Sequence, residues 1–226
     1  TLANVGANPD NKATDVDIGG ADVAGTDGTG GGDDSTASTL GLTEADLQNI
    51  NTAHSSGGAS DVLNDERGII IGTTDGTGGN SMDSTIAVTG NVDLTGNVAY
   101  TNNLALFTDN ASQHSFAPGG TQPAISDGTE GLTGNTLTVN QLYAEAAGAI
   151  DLTAAISNEH TTALMATSGG RLEAHSTTAG DIVLDNNGGT TVFVNEAFFS
   201  PSGTTGITAA SSFIVVQSTT GLHISA

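Results

Sequence analysis

A short phrase recurs along this chain: a glycine, any residue, an aliphatic residue, any residue, then a second aliphatic or aromatic one. It reads Gly90-Asn-Val-Asp-Leu94, Gly96-Asn-Val-Ala-Tyr100, Gly148-Ala-Ile-Asp-Leu152 and Gly180-Asp-Ile-Val-Leu184, with looser copies at Gly206-Ile-Thr-Ala209 and Gly221-Leu-His-Ile224. Glycine opens a turn without steric cost, and the alternation that follows points every second side chain to one face of a strand. A chain built from such units is all-β. The arrangement favoured is a β-solenoid, in which each coil buries a small core only by stacking on the next. The opening glycines are 6, 52, 32, 26 and 15 residues apart, which is no fixed period. A β-sandwich of antiparallel strands, assembling by strand exchange, uses the same turns and is the alternative.

Other strand signals are short apolar or alternating runs between glycine, asparagine and aspartate clusters. They predict strands at 68–72, 85–89, 91–95, 103–107, 136–139, 149–153, 171–175, 181–185, 191–195, 211–217 and 221–225. The stretch QLYAEAA (141–147) has helical propensity and is read as strand or connection. One short helix is predicted near 44–52. Thr43 caps it, Asp46 completes a capping box, and Leu42 with Leu47 forms a hydrophobic staple.

Leu, Ile, Val and Phe account for 48 of the 226 residues, and only 11 of these fall in residues 1–66. Packing needs apolar area, so the sequence divides into a loop-rich, acidic N-terminal segment (1–66) and a main β domain (67–226). The chain begins at Thr1, which suggests a removed leader and hence an extracellular location. No run of apolar residues is long enough for a membrane-spanning helix.

The net charge is −22, from 25 acidic and 3 basic residues. Phosphate binding needs clustered Lys and Arg, so nucleic acid is not an expected partner. An acidic, glycine-rich sentence occurs twice, as DGTGGGDDST (27–36) and DGTGGNSMDST (75–85), with an echo at Asp127-Gly-Thr-Glu130. Calcium takes six to eight oxygens and tolerates irregular loops. Asp27, Asp33, Asp34, Asp75, Asp83 and Asp127 are therefore the candidate metal ligands, with Ca²⁺ the expected ion. The competing explanation is that Asp-Gly is simply good turn chemistry.

Catalytic signatures are missing, and no catalytic or cofactor-binding residue is predicted. His54, His114, His160, His175 and His223 lack metal-ligand spacing, and there is no cysteine. No nucleophile elbow or lysine-bearing phosphate loop occurs. A carbohydrate-cleaving β-helix would need clustered cations or aromatic platforms. The chain has only Lys12, Arg67 and Arg171, with no Trp and only Tyr100 and Tyr143. The densest aromatic and aliphatic runs, Val192–Val194 with Phe198 and Phe199, then Phe213–Val216, are core strands or edges suited to strand addition.

Residues 134–155 (GNTLTVNQLYAEAAGAIDLTAA), 177–195 (TTAGDIVLDNNGGTTVFVN) and 202–225 resemble the passenger repeats of filamentous-haemagglutinin-type exoproteins. The resemblance covers about residues 85–226 and is compositional. It implies a secreted, elongated β-helical adhesin or fibre, and carries over no functional residue. The expected protein is an extracellular, non-enzymatic structural subunit of a cell-surface fibre, filament or layer, with an adhesive role. Its partners are copies of itself, with cell-surface glycans as further candidates. The alternatives are a carbohydrate-binding or carbohydrate-cleaving β-helix and a trimeric viral or phage-type spike.

Overall fold

The computed structural model describes residues 15–20, 39–50, 68–72, 85–95, 103–108, 124–127, 134–156, 170–188, 192–194, 206–209, 213–219 and 222–224. These form two β-sheets and one short helix. The first sheet contains β1 (Asp15–Ile18), β2 (Thr39–Leu42), β4 (Ile86–Val88), β5 (Val92–Asp93), β7 (Ile125–Ser126), β8 (Thr136–Val139), β10 (Ile150–Ile156), β12 (Ile182–Asn186) and β15 (Ile214–Ser218). The second contains β3 (Ile69–Ile71), β6 (Asn103–Phe107), β9 (Gln141–Ala146), β11 (Gly170–Ser176), β13 (Val192–Val194), β14 (Ile207–Ala209) and β16 (Leu222–Ile224).

The strand order is β15-β12-β10-β7-β4-β1-β2 in the first sheet, with β5 and β8 continuing the row beside β10. In the second it is β16-β13-β11-β9-β6-β3, with β14 beside β11. From β3 onward the chain passes back and forth between the sheets, and each pass lies against the one before. Every pairing among the described strands is parallel. A hairpin would make neighbours antiparallel. Here successive passes alternate between the two sheets instead, so a strand returns beside its predecessor running the same way.

Register makes the core. Val16, Ile86, Ile125, Ile150, Ile182 and Ile214 pair in sequence across the first sheet. Ile69, Leu104, Leu142, Leu172, Val194 and Ile224 do the same across the second. Val16, Ile86, Ile125, Ile150 and Ile182 of the first column and Ile69, Leu104, Leu142 and Leu172 of the second, with their companions Ile18, Val88, Leu152, Leu184, Ile71 and Leu106, merge into one apolar cluster between the sheets. Alternation at period two delivers one residue per strand to each column, and branched aliphatic side chains fill it. Ile125 to Ile150 is 25 positions, whereas Ile150 to Ile182 and Ile182 to Ile214 are 32 each. The uneven spacing of the glycine phrase follows in part: Gly90, Gly148 and Gly180 precede strands of the first sheet, whereas Gly206 precedes β14 of the second, and the copy at 96–100 lies outside the described residues.

The glycines serve close approach as well as turning. Gly180, just before β12, has φ 135°, and Gly206, before β14, has φ 91°. At Gly90 a Cβ would lie 1.8 Å from the Gly19 carbonyl oxygen one pass away, so no side chain fits there.

Each of the eleven strand segments read from the sequence contains a strand, and QLYAEA is β9. The helix α1 (Glu44–Gln48) is shorter than predicted. Its start follows the reading: Thr43 caps it, accepting from the Asp46 N–H while Asp46 accepts from the Thr43 N–H, and Leu47 is buried. The Asn49 N–H donates the last i→i−4 bond to the Ala45 carbonyl, and the Ile50 N–H then closes a tighter turn on the Leu47 carbonyl, ending the helix.

The core reaches further upstream than the apolar count implied. Val16, Ile18 and Leu47 belong to the same cluster as the later strands. A count misses them because DVDI offers only two apolar residues. Pairing with β4 places both of them inward.

Candidate functional site: a polar row on the outer face of the second sheet

The face of β9 and β11 turned away from the core carries the densest chemistry among the described residues. On β9, Leu142, Ala144 and Ala146 go to the core, so Tyr143 and Glu145 take the opposite face. On β11, Leu172 and Ala174 go inward, leaving Glu173 and His175 outside. The register sets Tyr143 opposite Glu173 and Glu145 opposite His175. Acid and non-acid alternate like squares on a board, so the two carboxylates sit diagonally and are not direct neighbours.

All four side chains are buried, Tyr143 and Glu173 completely. Buried polar groups need partners, and these find one another. The Tyr143 hydroxyl donates to Glu145 Oε2. His175 Nε2 lies 2.9 Å from Glu173 Oε1, and its Nδ1 lies 2.6 Å from Thr208 Oγ1 on β14. A carboxylate can only accept, so Nε2 carries a proton. The Thr208 hydroxyl then donates to Nδ1 when the ring is neutral, or accepts from it when the ring is charged. Either state is satisfied.

Phe107 on β6 stacks on Tyr143 with ring centroids 4.9 Å apart, and Tyr143 meets the His175 ring at 5.6 Å. Ala105, Phe107 and Tyr143, with Ile70 against them, form a second small apolar cluster. Across β6, β9, β11 and β14 the row joins four successive rungs through side chains as well as backbone.

Such a set of groups can hold or transfer protons. In this geometry each carboxylate already faces a donor, and the row braces neighbouring strands. The sequence reading passed over it, treating QLYAEAA as ambiguous and His175 as isolated. The available signal was the shared pattern of QLYAEA and RLEAHS, where Leu and Ala two apart alternate with polar or aromatic residues.

Of the predicted metal ligands, only Asp127 falls within the described residues. Asp27, Asp33, Asp34, Asp75 and Asp83 lie outside them. Asp127 is buried at the corner between β7 and β8. Its Oδ2 accepts the Thr153 N–H at 2.9 Å, and Gly134 packs so closely that a Cβ there would meet Oδ2 at 1.8 Å. Asn186 acts similarly at the end of β12: its Oδ1 accepts the Ile156 N–H at 3.0 Å and its Nδ2 donates to Ser218 Oγ at 3.1 Å. Asn135 donates to the carbonyls of Val88 and Asp127, and Asn91 Oδ1 accepts the Thr136 N–H. Short amide and carboxylate side chains thus tie successive passes where the ladder turns and its backbone groups lose strand partners. Among the described residues no group of three or more His, Asp or Glu is placed to hold a metal ion.

No helix among the described residues is long and apolar enough to cross a membrane. Comparison with models of protein families, with curated proteins and with solved structures finds no match to this chain.

Proposed function

We propose that this chain is an extracellular structural protein, folded as a β-solenoid of stacked coils, that forms the subunit of a cell-surface fibre, filament or layer and catalyses no reaction. The observation that carries the reading is the pair of six-residue columns, one per sheet, connected throughout by parallel pairing. A stack of this kind resists deformation through main-chain hydrogen bonds repeated along one axis, so small side chains suffice. The polar row and corner amides add cross-links between passes, which suits a load-bearing role. In this reading the acidic turns take up Ca²⁺ between coils or between subunits, because carboxylates packed in tight loops repel one another without counter-ions. An adhesive role, with surface glycans as targets, belongs to the same proposal.

Electron microscopy of the purified chain, with small-angle scattering for particle shape and antibody labelling of intact source cells, tests it. Elongated particles or filaments and surface labelling are expected. A compact globule with a deep side-chain-lined cleft would overturn the structural role, and a short trimeric rod would transfer the reading to the spike class.

A further inference from the structure

The corner that follows β12 contains a chemically reactive step. Asn187-Gly188 is the single Asn-Gly pair in the sequence. Asparagine closes most readily to a succinimide when glycine follows it, because glycine has no side chain to hinder its own amide nitrogen. Asn187 is exposed, whereas Gly188 is buried. Solvent therefore reaches the side-chain amide that would leave and not the backbone nitrogen that would attack.

The backbone around this step is tied to the passes on both sides. Toward β10, the Asn187 N–H donates to the Ala154 carbonyl at 2.8 Å. The Gly188 N–H donates to Asn186 Oδ1 at 3.3 Å, and the same oxygen accepts the Ile156 N–H at 3.0 Å. Toward β15, the Thr219 N–H donates to the Asn186 carbonyl at 3.0 Å, and the Thr219 hydroxyl donates to the Gly188 carbonyl at 3.4 Å. Gly188 also lies hard against the end of β10: a Cβ there would meet the Ile156 carbonyl oxygen at 2.5 Å and its nitrogen at 2.8 Å. Ring closure requires the Gly188 nitrogen to give up its proton and swing onto Asn187 Cγ. A backbone held in this way has no room to turn.

We infer that Asn187-Gly188 is a latent modification site, closed while β10, β12 and β15 are stacked and converted to aspartate or isoaspartate when the corner opens. With the corner open, the deprotonated Gly188 nitrogen attacks Asn187 Cγ. The bond from Cγ to the side-chain nitrogen breaks, and ammonia leaves. Water then opens the succinimide. Attack at Cγ gives aspartate on an unchanged main chain, which re-seats with its new charge in solvent. Attack at the main-chain carbonyl carbon gives isoaspartate, whose backbone is one methylene longer. That form does not re-seat, because the N–H groups of residues 187 and 188 have fixed acceptors and Gly188 has no free space beside Ile156. Opening followed by reaction is therefore one-way, and a corner that has frayed stays frayed.

Mass spectrometry of the full chain, aged in mildly alkaline buffer with and without denaturing urea, tests this, with an isoaspartate-specific methyltransferase identifying the product. Conversion at Asn187 should be at least about tenfold slower in the folded chain, since only the open fraction reacts. Asn186→Ala removes the oxygen shared by the Ile156 and Gly188 N–H groups. It should speed conversion of the folded chain and leave the rate in urea unchanged. Sub-denaturing urea gives the same readout without a substitution: conversion should rise before strand content by circular dichroism falls. Asn187→Asp carries the charge without the extra methylene and should melt with the parent, whereas refolded chains enriched in isoaspartate should melt lower. Equal rates in the folded and unfolded chain, no acceleration in folded Asn186→Ala or in sub-denaturing urea, or isoaspartate chains that melt with the parent would each overturn the proposal.

Discussion

Truncating one isoleucine column at its middle and at its end should give very different losses. Ile150 lies between Ile125 and Ile182 and is fully buried. Ladder hydrogen bonds hold the rungs above and below at about 4.8 Å, so the space left by Ile150→Ala cannot close by collapse. Transfer and cavity terms then add, and the loss should be about 3–4 kcal/mol, within the ordinary range for large-to-alanine changes in a core. Ile214 ends the same column but is 44% exposed. Nearly half its surface already meets water, and the gap left by Ile214→Ala opens to solvent, so about 1 kcal/mol is expected. Urea unfolding of both variants, with midpoints compared at a shared slope, measures the difference of roughly 2 kcal/mol. A double-mutant cycle adds a second test. Ile150 and Ile182 touch and should couple by at least about 0.5 kcal/mol. Ile86 and Ile182 stand three rungs apart, about 14 Å at strand spacing, and should add independently. Equal losses at Ile150 and Ile214, or equal coupling in the near and far pairs, would refute a core made of stacked columns.

Burial pushes the Asp185 carboxyl above its ordinary value of 3.8, and its Oδ1 is buried without a hydrogen-bond partner among the described residues. The folded state therefore holds this proton more firmly than the unfolded chain, and the resulting stability, full below pH 3.8, is lost as pH rises through the folded value. Asp185→Asn should melt higher than the parent at neutral pH, with the advantage shrinking in acid; a constant difference across a pH series of melting curves would contradict this. Tyr143→Phe removes the donor to the buried Glu145 carboxylate and should lower stability by about 1–3 kcal/mol in urea unfolding, with no change in strand content by circular dichroism. Excess EDTA should lower the melting temperature and loosen any assembly if the acidic turns hold calcium; unchanged melting and particle length would remove calcium from the proposal.

The sequence by itself determined the class of local structure. Glycine phrases, β-branched runs and short spacing sufficed for strands such as Asn103–Phe107 and Thr136–Val139, whose bounds were read directly. Thr43 and Asp46 sufficed for the start of α1, because a capping box is satisfied within four residues. Tertiary structure decided which strand lies beside which, and therefore everything that depends on neighbours. Nothing local in DVDI shows that Val16 continues the column of Ile86, or that β1 is inserted between β2 and β4. Nothing in QLYAEA and RLEAHS, 30 residues apart, shows that Tyr143, Glu145, Glu173 and His175 share one patch until the parallel register brings them together. Asp127 makes the same point: its residue type suits an ion, while its place at a corner turns its carboxylate toward a backbone N–H one pass away. Alternation and turn chemistry act over a few residues and can be read from them. Register between passes is fixed by cooperative packing of columns across dozens of residues, and no short stretch carries that information.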